Sequence, residues 1–242
     1  MLIIDCIYHF SESITKCIDK VVLLPIGSLE YHGAYLPPAV DTLIADRLIR
    51  KYLKEGAIKE LINSSEKCLI LLPPLYYGYS PEWNSFEGTI SLNRELFQWL
   101  IIHIYLSISS MNGFKGLIIV NGHGGNTSLL EAIARDITYN YGGRIGIVDI
   151  WRVASKLGLK YCHACPFEIE LAKALGINTT GRGASNKAHL RTIVEEGIYL
   201  YNGKRTLGYE GILPKLDLFI KEFYSSMNKL LSVFLNDSKN NH

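Results

Sequence analysis

The sequence predicts an α/β fold in which a mostly parallel sheet carries helices on both faces. Short apolar runs typical of buried strands alternate along the chain with longer amphipathic stretches typical of helices. A strand, a helix and a further strand in succession favour parallel pairing, because the helix returns the chain to the starting end of the sheet. With 242 residues, 48% of them hydrophobic, one substantial core can form, so residues 1–242 are predicted to be a single domain.

Four apolar runs are predicted to be the strands, namely residues 21–26, 68–72, 117–120 and 145–148. Three helices are predicted between them, over residues 42–53, from Asn93 as N-cap to about 111, and from 127 or 128 to about 139. A last amphipathic helix is predicted at 213–234, followed by a frayed tail at 236–242.

Charge and hydropathy narrow the range of functions. The chain has 25 basic and 23 acidic side chains, which gives no electrostatic reason to bind nucleic acid or an anionic membrane surface. No apolar run approaches the ~20 residues of a membrane-spanning helix, and the start of the chain lacks the features of a signal peptide. We therefore expect a cytoplasmic protein that acts on a small molecule.

The five cysteines are scattered and odd in number, which predicts reduced thiols in a chain of this size. Cys162 and Cys165 have the spacing of half a zinc finger. Because no second pair stands at a matching distance, buried thiols are the preferred interpretation over a structural zinc.

Ligands of such a sheet bind at the carboxyl ends of the strands, and polar residues follow the predicted strands here. Glu30 and His32 are two residues apart after the first strand, so both side chains can leave an extended segment on the same face. Together with Asp41 they are a donor set that suits Zn²⁺, Mn²⁺ or Fe²⁺. The alternatives are a solvated loop for Glu30 and His32, and an N-cap role for Asp41.

A second candidate is His123, which lies between glycines where an apolar strand runs into a helix. A dinucleotide-binding turn is a poor alternative, because this loop lacks the spacing of the glycine fingerprint. A strand-to-helix turn with an incidental histidine remains open.

A third segment contains His163 and Glu168, at the start of a helix that is predicted to continue through Leu175. Beside a metal site His163 is a candidate proton donor to a leaving nitrogen. Glu168 has a structural alternative, because a carboxylate near a helix start is favoured by the helix dipole.

In this order, the segments resemble the creatininase family of metal-dependent amidohydrolases, which includes archaeal formamidopyrimidine deformylases and the mycofactocin precursor peptidase. The matching stretches are LLPIGSLEYHG with Asp41, PPLYYGYSPEWNSFEGTISLN, GFKGLIIVNGHGGN and HACPFE. The resemblance implies a three-layer sandwich in which Glu30, His32, Asp41 and His123 bind one or two divalent ions (Zn, Fe or Mn), with Asp41 bridging two. It also implies a homo-oligomer such as a hexamer.

Departures from the family pattern bear on the substrate. Creatininases proper carry a carboxylate where this chain has Gly125, and the segments at Cys165-Pro166 and Glu87 also differ. We therefore predict hydrolysis of a non-peptide amide or formamide, with Glu168 as a water-orienting residue, a base or a further ligand, and with His163 as proton donor. The alternatives are creatinine hydrolysis, peptide cleavage and a binding protein without catalysis. Basic residues of the divergent part are candidates for contacting a substrate phosphate: Lys187, Arg191, Lys204, Arg205 and Lys215.

Overall fold

The structure is a computed structural model that describes residues 2–9, 11–55, 67–158, 163–179, 192–195, 198–201 and 216–236. The basic residues proposed to meet a phosphate, Cys162 and residues 237–242 lie outside these ranges. None of the helices in these ranges is long and apolar enough to cross a membrane.

The centre of the fold is a five-stranded sheet in which all neighbouring strands are parallel. Its strands are β1 (Leu2–Asp5), β2 (Asp19–Ile26), β3 (Lys67–Leu71), β4 (Phe114–Asn121) and β5 (Ile145–Asp149), in the order β1-β3-β2-β4-β5. The four predicted strands are all present, and β1 was not predicted. A separate antiparallel pair consists of β6 (Thr192–Glu195) and β7 (Ile198–Tyr201).

The helices agree with the amphipathic segments of the sequence, with two additions. They are α1 (Ser11–Thr15), α2 (Val40–Glu55), α3 (Arg94–Ser109), α4 (Thr127–Tyr141), α5 (Ile150–Lys156), α6 (Pro166–Ala174) and α7 (Leu216–Asn236), of which α1 and α5 were not predicted. The predicted N-cap of α3 is confirmed, because the Asn93 side chain accepts a hydrogen bond from the Leu96 N–H at 2.8 Å.

Alternate residues of β2 pack into two different cores. Val21 and Leu23 pack on one face with side chains of α2, α5, α6 and α7. Val22 and Leu24 pack on the other face with side chains of α3 and α4. This alternation follows from the two-residue period of a strand, and it confirms the predicted sheet with helices on both faces.

The prediction of reduced thiols is wrong for three of the cysteines. Cys17 and Cys68 form a disulfide although they are 51 residues apart in the sequence, and Cys165 is also disulfide-bonded. The register of β2 and β3 pairs Lys20 with Cys68 and so brings the residues just before β2 close to the start of β3. The Cα atoms of Cys17 and Cys68 are 5.7 Å apart, within the range that a disulfide spans. Cys6 is free.

Candidate metal centre

The carboxyl ends of β2, β3 and β4 bring three loops together at one edge of the sheet. Gly27 N–H donates to Leu75 O at 3.1 Å, and Gly122 N–H donates to Ile26 O at 2.8 Å. These bonds join the loop after β2 to the loops that follow β3 and β4. The predicted ligands Glu30 and His123 lie in two of these joined loops.

Asp41 lies in the first turn of α2, and its carboxylate faces two histidines at once. Its Oδ1 is 3.2 Å from His32 Nε2, and its Oδ2 is 2.9 Å from His123 Nδ1. Ser28 Oγ–H donates to Oδ2 at 2.6 Å, which fixes the plane of the carboxylate. Each oxygen of the Asp41 carboxylate therefore faces a different histidine.

Glu30 also lies close to both histidines. Its Oε2 lies 3.3 Å from His123 Nδ1, and its Oε1 lies 3.7 Å from His32 Nε2. Glu30 and Asp41 therefore each lie within 3.7 Å of both histidines, and all four side chains are buried.

The histidine rings are oriented by hydrogen bonds on their far nitrogens. His32 Nδ1–H donates to the backbone carbonyl of Glu30 at 3.0 Å, and His123 Nε2–H donates to Tyr79 O at 3.0 Å. Because a carbonyl only accepts, these bonds place the hydrogen on the far nitrogen of each ring. His32 Nε2 and His123 Nδ1 are therefore the ring nitrogens that face the carboxylates, and each would offer its lone pair to an ion that replaces a proton there, as in metal-ligating histidines.

Two atoms of the cluster lack a hydrogen-bond partner among the described residues. They are Glu30 Oε2 and His32 Nε2, both fully buried. Buried polar atoms are rarely left unsatisfied, because each one costs about 1–3 kcal/mol. The two orphaned atoms belong to the faces that a shared cation would contact.

The carboxylates and histidines of the cluster shift each other's pKa values. Burial alone would raise the pKa of Glu30, but the nearby His123 outweighs it and holds the pKa well below the usual range. Burial alone would lower the pKa of His32, but the charges of Asp41 and Glu168 raise it well above the usual range. The carboxylates therefore require positive charge beside them, which protons or a metal ion can supply.

Glu168 and His163 approach the cluster from the start of α6. Glu168 Oε1 lies 3.6 Å from His32 Nε2, and its Oε2 accepts a hydrogen bond from Ala164 N–H at 2.6 Å. Ala164 has a positive φ of 51°, which turns this N–H toward the carboxylate. His163 Nδ1 lies 3.3 Å from Glu30 Oε1, and its Nε2–H donates to Tyr31 O at 2.7 Å.

Several residues around the site were missed in the sequence. Asn126 is fully buried, donates to Gly27 O at 2.9 Å and accepts from Tyr79 N–H at 2.9 Å, so its side chain bonds to two neighbouring loops. Ser80 Oγ lies 3.1 Å from His123 Nε2. The sequence signal for these residues was their position inside stretches that match the family, in loops next to the predicted ligands.

The loop between β3 and α3 also places aromatic rings and an acidic residue beside the site. The ring of Trp83 stacks on His163 at 4.1 Å, and that of Tyr31 stacks on Phe86 at 4.9 Å. Glu82 precedes Trp83 in a short 3₁₀ turn, and burial raises the pKa of its carboxyl group.

Three groups of side chains in the described part of the chain have donor atoms within 4.8 Å of one another. They are His32, Asp41 and Glu168; Glu30, Glu82 and His123; and Glu30, His32 and His163. Carboxylate and imidazole donors in such sets suit Zn²⁺, Mn²⁺ or Fe²⁺. The first two groups share no residue, so they are two separate donor sets.

Comparison with known proteins gives similar proteins of several kinds. The chain is 32% identical over 120 residues to the mycofactocin precursor peptide peptidase of Mycolicibacterium smegmatis, a match that covers 49% of this chain and 45% of that protein. It is 24% identical over 237 residues to the 2-amino-5-formylamino-6-ribosylaminopyrimidin-4(3H)-one 5'-monophosphate deformylase of Methanosphaera stadtmanae, covering 93% and 88% of the two chains.

Among solved structures, a putative creatinine amidohydrolase from Bacteroides fragilis matches with a TM-score of 0.71 at 20% identity, covering 99% of this chain and 98% of that one. Creatininase structures of a Zn–Zn type and with Mn match with TM-scores of 0.60 and 0.62. The family model described as creatinine amidohydrolase matches residues 11–180, which include every residue of the site. The chain therefore belongs to the creatininase family, as the motifs of its sequence indicate.

Proposed function

We propose that the protein is a metal-dependent amidohydrolase whose ions are bound by Glu30, His32, Asp41 and His123. The observation that carries the proposal is the pair of orphaned buried atoms, Glu30 Oε2 and His32 Nε2, within a cluster where the far nitrogens of both histidines are held by backbone carbonyls. The residues fit one or two divalent ions of Zn, Mn or Fe, with Asp41 between them. A bound ion would make water a stronger nucleophile at neutral pH and polarise a substrate carbonyl.

His163 is suited to donate a proton to the leaving nitrogen. Its Nε2–H is held by Tyr31 O, so the exchangeable proton is the one on Nδ1, 3.3 Å from Glu30 Oε1. Stacking on Trp83 holds the plane of the ring. A proton on Nδ1 therefore faces the metal-ligand cluster, where the C–N bond would break.

Glu168 is suited to orient or deprotonate the attacking water or to serve as a further ligand of the ion at His32. One of its oxygens is fixed by Ala164 N–H, and the other faces His32 at 3.6 Å. The fixed oxygen restricts the carboxylate to one orientation, which favours a defined contact over a mobile one.

The proposed substrate is a small formamide, such as a formylamino-pyrimidine, in preference to creatinine. The similarity to a deformylase extends over 93% of this chain. Tyr31 and Phe86 stack on each other beside His163, and aromatic faces of this kind favour planar heterocycles. Gly125 leaves this chain without the carboxylate that creatininases proper carry at that position, which also favours a different substrate.

Peptide cleavage is the second candidate. The higher local identity to the mycofactocin precursor peptidase, 32% over 120 residues, favours it. A peptide amide and a formamide differ at the carbonyl carbon, where the formamide carries only hydrogen. The two substrates therefore differ in how much space they need beside the carbonyl carbon at the cluster.

The test is metal analysis of protein purified without chelators, followed by hydrolysis assays after reconstitution with Fe²⁺, Mn²⁺ and Zn²⁺. A formylaminopyrimidine nucleotide, creatinine and short peptides are assayed in parallel. We expect bound metal and release of formate from the first substrate. Protein that neither contains nor takes up metal would refute the proposed function, and creatinine turnover without deformylation would refute the substrate class.

A further inference from the structure

The position that carries a carboxylate in creatininases proper cannot hold any side chain in this fold. A Cβ atom on Gly125 would lie 2.4 Å from His123 Nε2 and 2.5 Å from Tyr79 O. Both distances are far below van der Waals contact, and the second neighbour is backbone, which cannot move aside cheaply. A further carboxylate ligand for this cluster must therefore come from another segment.

The loop between β3 and α3 already packs against His123 from that side. Tyr79 O accepts the His123 Nε2–H, and Ser80 Oγ lies 3.1 Å from the same nitrogen. Two residues later the 3₁₀ turn Pro81–Trp83 carries Glu82, whose carboxylate reaches the same region. A donor oxygen of Glu82 and donor atoms of Glu30 and His123 all lie within 4.8 Å of one another.

An independent observation indicates that this group faces a ligand. Glu30 Oε2 is fully buried and has no hydrogen-bond partner in the described part of the chain. It lies 3.3 Å from His123 Nδ1. A cation between Glu30, Glu82 and His123 would satisfy this oxygen and offset the charge of two neighbouring carboxylates.

We propose that Glu82 is a carboxylate ligand of the ion bound by Glu30 and His123, supplied by the loop between β3 and α3. This inference rests on the proposed metal dependence and adds a ligand that the sequence comparison did not indicate. The ion beside His32 keeps its own set of donors, Asp41 and Glu168. Glu82 thus belongs to one ion of a pair.

The test compares Glu82→Gln with Glu87→Gln in reconstituted protein. Glu87 lies in the same loop, is exposed and is not part of any donor group among the described residues, so its substitution controls for loop charge. Metal-free protein is titrated with Mn²⁺, and free Mn²⁺ is measured by electron paramagnetic resonance. Circular dichroism and thermal unfolding in EDTA show whether each variant folds, and Glu82→Asp provides a second variant that keeps the charge.

We expect wild type and Glu87→Gln to bind two ions per chain. In Glu82→Gln one of the two ions should bind at least about 10-fold more weakly, because even second-shell changes at metal sites cost that much. Glu82→Asp should lie between wild type and Glu82→Gln. Unchanged binding of both ions by a folded Glu82→Gln protein, with or without loss of activity, would overturn the proposal for Glu82 while leaving the metal dependence intact. Absence of metal binding in wild type would instead refute both.

Discussion

Asp41 Oδ2 lies 2.9 Å from His123 Nδ1, although the two residues are 82 positions apart in the sequence. Asp41 begins α2 and His123 follows β4, so the contact joins two crossover units of the sheet at its carboxyl edge. The other oxygen of Asp41 faces His32 at 3.2 Å. A single carboxylate thus connects both halves of the proposed metal centre.

The first prediction concerns Asp41→Asn. The change replaces one carboxylate oxygen by an amide N–H₂ that cannot ligate a cation, so affinity should fall for both ions rather than for one. We expect less than one ion per chain after dialysis, measured by inductively coupled plasma mass spectrometry.

Asp46→Asn is the matched control, because Asp46 is also on α2 but pairs with Arg50 away from the cluster. It should keep the wild-type metal content. Retention of both ions in folded Asp41→Asn protein would show that Asp41 does not bridge.

The second prediction is that His123→Ala lowers metal affinity and activity by more than about 100-fold while the fold is kept, because a loop ligand contributes more to the site than to the core. His103→Ala on α3 is the control, since His103 is exposed. Metal content, steady-state kinetics and circular dichroism are compared. Global unfolding of the His123→Ala protein, with or without metal, would favour a purely structural role for His123.

The third prediction separates proton donation by His163 from metal ligation. His163→Asn should lower kcat by about 100-fold or more and leave the number of bound ions unchanged, as expected for a general acid. His163 also belongs to a donor group with Glu30 and His32, so ligation is the competing role. Loss of one bound ion in the His163→Asn protein would show instead that His163 is a metal ligand.

The core of the sheet could be predicted because β2 to β5 are apolar and bounded by helices with clear amphipathic faces. β1 is only four residues long, and its burial comes from pairing with β3, which no local pattern reveals. The Cys17–Cys68 disulfide was missed for the same reason, since it depends on strand register. Local periodicity specifies elements, whereas register is a property of the assembled sheet.

In the site, the residues that carry a recognisable motif could be named in advance, and those that act through tertiary contacts could not. Glu30, His32 and His123 stand in loops that directly follow predicted strands. Asn126 and Glu82 lie inside matching stretches, but their roles depend on which loops meet at the sheet edge. Only the fold supplies that information.

The fourth prediction tests the support that Asn126 gives to the site. Asn126→Ala would leave Gly27 O and Tyr79 N–H without their partner in a buried region. At about 1–3 kcal/mol for each of the two unsatisfied groups, the free energy of unfolding should fall by about 2–6 kcal/mol. Urea unfolding measures the change, and Asn140→Ala on the exposed face of α4 should change it by less than about 0.5 kcal/mol. Equal stability of both variants would mean that the loops are held together without Asn126.

The last prediction is a symmetric homo-oligomer, such as the hexamer that the family resemblance implies. Tyr76 and Tyr77 are 37% and 47% exposed, and they lie in the loop that leads to Ser80 and Glu82. Tyrosine is enriched at protein interfaces because it combines apolar area with a polar tip. Light scattering should give the mass of an assembly of several chains rather than of a single chain.

Tyr76→Ser combined with Tyr77→Ser should lower that mass on dilution. The control is Tyr139→Ser, because Tyr139 is 86% exposed on α4 and distant in sequence from this loop. An interface through the tyrosine loop would also support the neighbouring segment that carries Ser80 and Glu82. Dissociation should disturb that segment. Metal affinity should therefore fall in the double variant and stay unchanged in Tyr139→Ser. A wild-type protein that stays monomeric at all concentrations would disprove the oligomer, and an oligomer that is insensitive to both tyrosines would move the interface elsewhere.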